Sequence, residues 1–476
     1  MQKIKNVFNN KIIKAGTWYT VTNLLIKGVN FLTIPIFTAL MTTSEYGATN
    51  LYLSWVNIFA IIISFELYTT IGRAKSDFKD EYNEFHSSAM YLGALIFFVV
   101  LFIGVLFENY LVALTGLPVL LFYLMIIHSY GHFLQQYLIS KYRFDYNYKK
   151  VSIVNVFLTG LGVLFSIILM TTIYSDQKVE GKVIGQLTPI IFVGLFTIVI
   201  FLIKGNFKFK FSHWKYALLL GGPLILHSLS YIVNNQFDRI LIDKYLGKSE
   251  VGVYSFVYNI GMILQIILTS AIQAWVPWFY EKLEQDKRLL IKEAGKGFRD
   301  LFLLVFTGIL FLTPELMQIM AGDDAYLTDY TISLVTWILI AGFFQFMYNI
   351  ETYIEIFHNR TSLVSIASII SAILNLILNI IFIPIYGTIA AAITTAFSYF
   401  VMFVMHYIMS AKVIKDEIFG LKFHLVSLVN LTMFVFIFYF TQEYLLIRLV
   451  FLLGLSLYFL KKIYNIYNDT FKKIND

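Results

Sequence analysis

Lys27 is the residue whose type and position could do the most distinctive chemistry in this sequence. It belongs to a row of polar residues in an apolar segment, Thr20, Asn23, Lys27 and Asn30, which are spaced three, four and three residues apart. This spacing places all four side chains on one face of a helix. A cation with amides on such a face is suited to hold an anion, because an unpaired buried cation is costly. The alternative for the amides is that they only join helices by hydrogen bonds.

Three further rows of polar residues have helical spacing. They comprise His227, Ser230, Asn234 and Asp238; Asn50, Ser54, Asn57 and Ser64; and Tyr258, Gln265, Thr269 and Gln273. Polar side chains inside apolar helices usually face a bundle interior or a water-filled cavity. We therefore predict a substrate-binding set of Lys27, Asn23, Asn30, Asn57, His227, Asn234, Asp238 and Gln265. Asp238 and Glu66 are the candidates for coupling transport to a proton or a sodium ion, with an interfacial position as the alternative for Glu66.

Other titratable residues are interpreted as structural. Arg448 is expected to extend outward to the membrane surface, and Glu351 and Glu355 are expected to be solvated at the cytoplasmic face. His128 and His132 have the spacing of two metal ligands, but no third ligand follows on that face. We expect cavity lining or packing for both histidines, with no metal site and no bound cofactor.

The elements that must position these residues are membrane helices. Of 476 residues, 58% are hydrophobic and only 14% are charged, against about 25% charged in soluble domains. Residues 109–140, 251–280 and 361–411 contain no Asp, Glu, Lys or Arg, and about 20 apolar residues suffice to cross a bilayer. We predict an all-α integral membrane protein with about 14 transmembrane helices. The predicted spans are 15–40, 48–72, 87–107, 118–140, 151–173, 183–203, 215–243, 251–280, 300–317, 329–352, 361–384, 387–411, 423–441 and 444–461.

The distribution of basic residues predicts the orientation of these spans. With the N-terminus inside, 29 of the 36 Lys and Arg residues fall in cytoplasmic segments, and only Lys178, Lys182, Lys244 and Lys248 fall in outer loops. Lys and Arg concentrate in cytoplasmic loops, so both termini are predicted to be cytoplasmic. The net charge of +7 follows from this topology. No basic domain suited to nucleic acid is present, and no nucleic-acid partner is expected.

An internal repeat predicts the arrangement of the helices. Ser44-Glu45-Tyr46-Gly47 and Ser249-Glu250-Val251-Gly252 are 205 residues apart, and each precedes a helix with a polar row. Both copies face outside, which indicates a parallel repeat. We predict two pseudo-symmetric six-helix lobes plus two C-terminal helices. The expected regions are an amphipathic cytoplasmic N-terminus over 1–14, an N-lobe over 15–212, a C-lobe over 213–412, and two helices with a cytoplasmic tail over 413–476.

Several motifs resemble the polysaccharide-exporter branch of the MOP (MATE-like) exporter superfamily. They are Gly16-Thr17-Trp18, the outer Ser44-Glu45-Tyr46-Gly47, Asp238-Arg239 followed by Leu246-Gly247, Ala274-Trp275-Val276-Pro277, and Asn375 and Asn379 before Pro384-Ile385-Tyr386-Gly387. The resemblance covers residues from about 15 to 462. It implies a flippase in the bacterial inner membrane that moves an undecaprenyl-pyrophosphate-linked O-antigen or capsule repeat unit by alternating access. The lipid bilayer and other polysaccharide assembly proteins would be its further partners.

Two alternatives stay open beside this interpretation. A multidrug antiporter of the same superfamily would use cavity acids for cationic drugs, whereas the deepest charge in the first span is Lys27. A membrane glycosyltransferase or polymerase would present a long outer loop with catalytic acids, and all predicted outer loops are short. Lipid II flippases of the superfamily carry an arginine cluster in the cavity, which only Lys27 matches here. We therefore expect a transporter and not an enzyme.

Overall fold

A computed structural model describes residues 11–475 of the chain, and within them every regular element is a helix. The long helices are numbered here from α1 to α14. They are α1 Lys11–Leu40, α2 Thr43–Ser64, α3 Tyr82–Leu106, α4 Val119–Phe144, α5 Tyr148–Thr171, α6 Lys178–Lys204, α7 Phe211–Leu246, α8 Lys248–Glu284, α9 Arg288–Phe311, α10 Asp329–Phe357, α11 Thr361–Tyr386, α12 Thr388–Ile408, α13 Leu421–Thr441 and α14 Leu445–Asn475. Short helices join some of them, including Ile71–Asp77, Glu108–Thr115 and Thr313–Met320.

Each of the fourteen predicted spans overlaps one long helix, which confirms the all-α membrane class. Among the described residues, nine helices are long and apolar enough to cross a membrane, and up to eleven if each of two bent pairs forms one span. One pair is Glu108–Thr115 with α4, bent by 86°, and the other is α9 with Thr313–Met320, bent by 58°. The number of fourteen spans stays a prediction.

The helices form two compact units, Met1–Gly252 and Val253–Asp476. In the first unit α1 packs on α5, α5 on α6, and α2 on both α4 and α7. In the second unit α12 packs between α10 and α11, and α14 packs on α9. The predicted lobe boundaries and the predicted interfacial helix over 1–14, most of which lies outside the described residues, stay predictions.

The two copies of the Ser-Glu-x-Gly repeat lie against each other within the first unit. The Thr43 and Ser249 hydroxyl oxygens are 2.8 Å apart. A Cβ added to Gly47 would lie 1.8 Å from the Lys248 carbonyl oxygen, and one added to Gly252 would lie 2.0 Å from the Thr43 carbonyl oxygen. Backbone therefore meets backbone where the two copies cross, a separation that only glycine permits. Glu45 has a local role, because its carboxylate accepts from the Thr42 backbone N–H and closes a capping box on α2.

A buried polar seam joins α11 and α12 in the second unit. The Asn375 amide donates to Thr395 Oγ1 at 3.2 Å, and the Asn379 amide donates to Asn375 Oδ1 at 3.1 Å. The two helices reverse direction at Gly387, whose φ of 75° is accessible to glycine at little cost. The helix continues through Pro384 to Tyr386 and breaks only at Gly387, and the two asparagines of the motif lie in the seam between the two helices.

Candidate functional site

The candidate site begins where α2 stops. The sequence predicted a span from 48 to 72, but the helix ends at Ser64 because Phe65 and Glu66 adopt left-handed conformations with φ of 44° and 56°. Such conformations cost non-glycine residues of order 1–3 kcal/mol each and persist where the surroundings enforce them. Gly221 of α7 lies directly against this break, because a Cβ there would lie 2.5 Å from the Phe65 carbonyl oxygen. The backbone of α7 therefore helps to hold Phe65 in this conformation. Strained backbone of this kind clusters at functional sites.

A cavity of about 350 Å³ opens at this break in the first unit. It lies among α2, α4, α7 and the short turn Leu67–Thr69. Its polar lining consists of Asn57, Ser64, Glu66, Tyr68, His132, Gln136 and Ser228. Amide, hydroxyl and imidazole groups of this kind bind hydroxylated ligands by hydrogen bonds. Among the described lining residues, Glu66 is the one acid, and none is a lysine or an arginine.

Glu66 is the most unusual side chain of this cavity. Its exposure is only 1%, and its Oε1 atom has no hydrogen-bond partner among the described residues. The Tyr68 phenol forms a hydrogen bond with the Glu66 carboxylate. A buried polar atom without a partner is rare in native structures and requires an explanation. Binding of a ligand or a cation at Glu66 Oε1 would provide one.

A row of polar residues on α4 supplies another wall of the cavity. His128 is buried and its Nδ1 lies 3.2 Å from the Tyr52 hydroxyl, whereas His132 and Gln136 line the cavity. The three residues are spaced four apart, so they share one face of the helix. The expectation of cavity lining or packing for the two histidines is confirmed. Sequence reasoning missed Gln136, although its spacing from His132 was the signal that could have found it.

The structure brings two of the predicted site residues together, since Asn57 and Glu66 line the same cavity. Lys27 is half-buried on α1, and Asn30 is exposed. Asp238 is buried on α7, and Gln265 is half-buried on α8 in the second unit. The side chains of Asn23, His227 and Asn234 lie outside the described residues. The binding roles of all these residues stay predictions.

A second lysine is buried in the first unit. Lys182, expected in an outer loop, lies in the first turns of α6 with its Nζ donating to Thr49 Oγ1 at 3.1 Å. Its ammonium group lies 4.4 Å from the Phe37 ring centroid and 4.6 Å from that of Tyr46. Aromatic faces attract a cation electrostatically. The expected loop position is wrong because α6 starts five residues earlier than the predicted span.

Three other expectations about charged residues are also wrong. Arg448 does not extend outward but is 3% exposed, and it forms an ion pair with Glu315. Glu351 and Glu355 are buried, each against an imidazole, and are not solvated. The partners of all three lie more than 50 residues away along the chain.

Within the described residues, no group of three or more His, Cys, Asp or Glu side chains is arranged to hold a metal ion.

The many apolar helices define a multi-pass membrane protein with a polar cavity in its first unit. The structure is similar to that of the lipid II flippase MurJ in an inward closed conformation, with a TM-score of 0.71, 18% identity, and coverage of 94% of this chain and 98% of that one. It is also similar to a multidrug resistance MATE family transporter of the MOP superfamily in its inward-facing conformation, with a TM-score of 0.62, 14% identity, and coverage of 83% and 98%. These likenesses concern the fold.

The sequence comparisons identify the family. Residues 12–282 match the profile of the family described as polysaccharide biosynthesis protein, and the chain belongs to that family. A relative is the Lsg locus putative protein 1 of Haemophilus influenzae, which is 24% identical over 378 residues, or 76% of this chain and 88% of the relative. The resemblance predicted from the motifs is confirmed at the level of this polysaccharide biosynthesis family, and the fold is similar to that of the two solved transporters.

Proposed function

We propose that this protein moves a polyprenyl-pyrophosphate-linked oligosaccharide, an O-antigen or capsule repeat unit, from the inner to the outer leaflet of the bacterial cytoplasmic membrane. The observation that carries the proposal is the polar cavity at the α2 break in a chain of the polysaccharide biosynthesis family. The amide and hydroxyl groups of Asn57, Ser64 and Gln136 suit sugar hydroxyls. The fold shared with a lipid II flippase supports a lipid-linked substrate.

The remaining binding roles follow from chemical type. Lys27 would hold the pyrophosphate, with the amides of Asn23, Asn30 and Asn234 as additional donors. His227, Asp238 and Gln265 would contact the sugars, while the polyprenyl tail stays in lipid. Both termini would be cytoplasmic, as the distribution of Lys and Arg predicts. Transport of the negative pyrophosphate outward is then favoured by the membrane potential, by about 2.3 kcal/mol per charge per 100 mV.

We expect Lys27→Ala to lower leaflet transfer by about 10- to 100-fold, because a hydrogen bond to a charged group contributes about 1.5–3 kcal/mol. The measurement is transfer of a polyprenyl-pyrophosphate oligosaccharide in liposomes that contain the purified protein. Lys149→Ala, which removes an exposed lysine at the start of α5, is the matched control and should transfer at the wild-type rate. Equal rates for Lys27→Ala and wild type would make Lys27 structural.

We expect Glu66→Gln to reduce transfer by about tenfold while the protein stays folded, because the amide keeps the volume but removes the acid. The matched control is Glu108→Gln, whose carboxylate also accepts from a tyrosine, Tyr123, at 2.5 Å but lies outside the cavity lining. The same liposome assay should leave Glu108→Gln at the wild-type rate. A Glu66→Gln protein with undiminished transfer would remove Glu66 from both binding and coupling.

One observation favours a second candidate function. The only charged side chain in the described cavity lining is an acid, Glu66, which suits a cationic ligand. A multidrug antiporter would therefore expel cationic dyes from proteoliposomes, and Glu66→Gln would abolish that efflux. Dye efflux without transfer of the lipid-linked oligosaccharide would replace the flippase proposal with the antiporter.

A further inference from the structure

Three carboxylate–imidazole pairs lie in a row along the end of α10, remote in sequence from the cavity. Glu351 Oε1 lies 2.8 Å from His424 Nε2, and Glu355 Oε1 lies 2.7 Å from His406 Nδ1. His358 continues the row, with its Nε2 2.9 Å from Asp416 Oδ2. Positions 351, 355 and 358 are spaced four and three apart, so they share one helical face. The row spans about 10 Å, because each helical residue rises about 1.5 Å.

The row passes from the surface into the core of the second unit. His358 is about one-third exposed at the end of α10, whereas Glu355 and His406 are both fully buried. Glu351 and His424 are buried as well, and Ser410 donates a hydrogen bond to Glu351 Oε2. The outermost pair thus contacts water and the other two do not.

The buried pairs carry polar atoms that nothing described in the second unit satisfies. Glu355 Oε2, His406 Nε2 and His424 Nδ1 have no hydrogen-bond partner among the described residues. A neutral imidazole that donates one N–H to a carboxylate has its other nitrogen as a proton acceptor. Protonation there produces an imidazolium beside a carboxylate, and this charge pair stabilises itself. These three buried atoms lie in one cluster and indicate a binding site. The ligand that suits a carboxylate oxygen and two imidazole nitrogens is a proton.

The surroundings of the cluster contain few competing charges. Around it lie Tyr348 on α10, Tyr407 on α12 and the aromatic rings of Phe403 and Phe423. Tyr407 donates to Glu417, and Arg299, itself bonded to Asp300, lies behind the Phe423 ring at 5.0 Å. Among the described residues, no lysine or arginine forms an ion pair with Glu351 or Glu355. The two histidines are therefore the cations that could neutralise these buried acids.

The local backbone also departs from regular helix at this point. After α12 the chain forms a π-helical turn, Met409–Ile414, which contains Ser410. Such turns occur mostly as single insertions and are frequent at functional sites. Beyond the turn, Arg288 and His358 both bond Asp416. Burial alone would raise the pKa of Asp416, but the hydrogen bonds from Arg288 and His358 outweigh it and hold that pKa below its ordinary value. The lowered pKa favours the ionised form of Asp416, whose negative charge lies beside His358.

We infer that Glu351, Glu355, His406 and His424 form a proton-binding site in the second unit, filled and emptied through His358, which Asp416 holds by a hydrogen bond. Each proton adds to an imidazole nitrogen and leaves by the same route, so no electron is transferred and no co-reactant is needed. Histidine is the side chain whose charge changes most readily between pH 5 and 8. The site would give the second unit a protonation-dependent charge that is independent of the cavity in the first unit.

The test is proton uptake by the purified full-length protein after a jump from pH 8 to pH 5. We expect Glu355→Gln to lose about one proton of uptake per chain relative to wild type, because the amide cannot form the charge pair. Glu81→Gln is the matched control, since Glu81 also bonds an imidazole, that of His213, but the Glu81 side chain is 45% exposed. If Glu355→Gln does not fold, His406→Gln carries the same expectation. His358→Gln should slow the uptake by the buried pairs at least severalfold.

Equal uptake by wild type, Glu355→Gln and His406→Gln would overturn the inference and leave the cluster as structural hydrogen bonding. A coupling role for this proton rests on the proposed function and has a separate readout. In liposomes with an imposed pH gradient, wild-type transfer should respond to the gradient, and Glu355→Gln transfer should not. Wild-type transfer that ignores the gradient would overturn the coupling role alone. Absence of all transfer would overturn the proposed function together with that role, whereas the uptake test is independent of both.

Discussion

Replacing Gly47 with alanine is expected to prevent the first unit from folding. The new Cβ would lie 1.8 Å from the Lys248 carbonyl oxygen and 2.7 Å from the Gly252 nitrogen, and both are backbone atoms of α8. Neither atom can rotate away, so the two helix ends must separate. Overpacking against backbone at such distances places the substitution in the class above about 4 kcal/mol of lost stability. The measurement is the yield of monodisperse protein after extraction, followed by thermal unfolding.

The glycine experiment has a reciprocal variant and a control. Gly252→Ala should be equally damaging, since its Cβ would lie 2.0 Å from the Thr43 carbonyl oxygen. Gly160→Ala in α5 has no heavy atom within 4 Å of its Cβ and should be neutral or stabilising by about 0.5–1 kcal/mol. A Gly47→Ala protein that melts within a few degrees of wild type would show that the two copies do not touch at this point.

Arg448→Ala is expected to destabilise the second unit by about 2–3 kcal/mol, less than the roughly 3–5 kcal/mol for a fully buried ion pair, because Arg448 is 3% exposed but Glu315 is 29% exposed. Arg448 bonds Glu315 through both terminal nitrogens, at 2.7 Å and 2.6 Å, and also donates to the Phe311 carbonyl oxygen. Its loss would leave the carboxylate and the carbonyl without this donor where α9 bends into Thr313–Met320. Thermal unfolding of the purified variant measures the effect.

Two further variants isolate the buried pair. Arg73→Ala removes an exposed ion pair, in which the Arg73 side chain is 70% exposed and that of Asp77 40% exposed. It should change the free energy of unfolding by less than about 1 kcal/mol. The double variant Arg448→Met, Glu315→Leu should recover most of the lost stability, because apolar residues of similar volume often replace a buried pair without cost. A double variant as unstable as Arg448→Ala would locate the loss in packing and not in an unpaired carboxylate.

The helices themselves were predictable because a helix that crosses lipid needs a long uninterrupted apolar segment. Such a segment is visible in the amino-acid sequence. The end of α2 was not, since left-handed φ angles at Phe65 and Glu66 have no signature in residues other than glycine. The cavity opens at that break. The sequence therefore indicated Glu66 as a candidate but could not show which residues surround it. The polar neighbours of Glu66 come from α4 and α7, and only the folded chain brings them together.

The positions of the charged residues were also not predictable from the sequence. Glu351 and Glu355 sit near the end of a predicted span, where solvation is the ordinary expectation. Their imidazole partners, His424 and His406, lie 73 and 51 residues further along the chain. The sequence also predicted a surface position for Arg448. Its partner Glu315 is 133 residues away, so nothing near Arg448 in the sequence indicated the ion pair. Hydropathy indicates which segments enter the membrane, but it carries no information about which buried charges meet.

The crossing of Gly47 and Gly252 also restricts how this gene can change. A side chain at either position would collide with the backbone of the other copy, so neither glycine can mutate while the other is kept. Each copy is thus the physical surface that limits which residue the other copy can carry at this position. The glycine that closes both Ser-Glu-x-Gly copies is shared because the two copies touch at this residue.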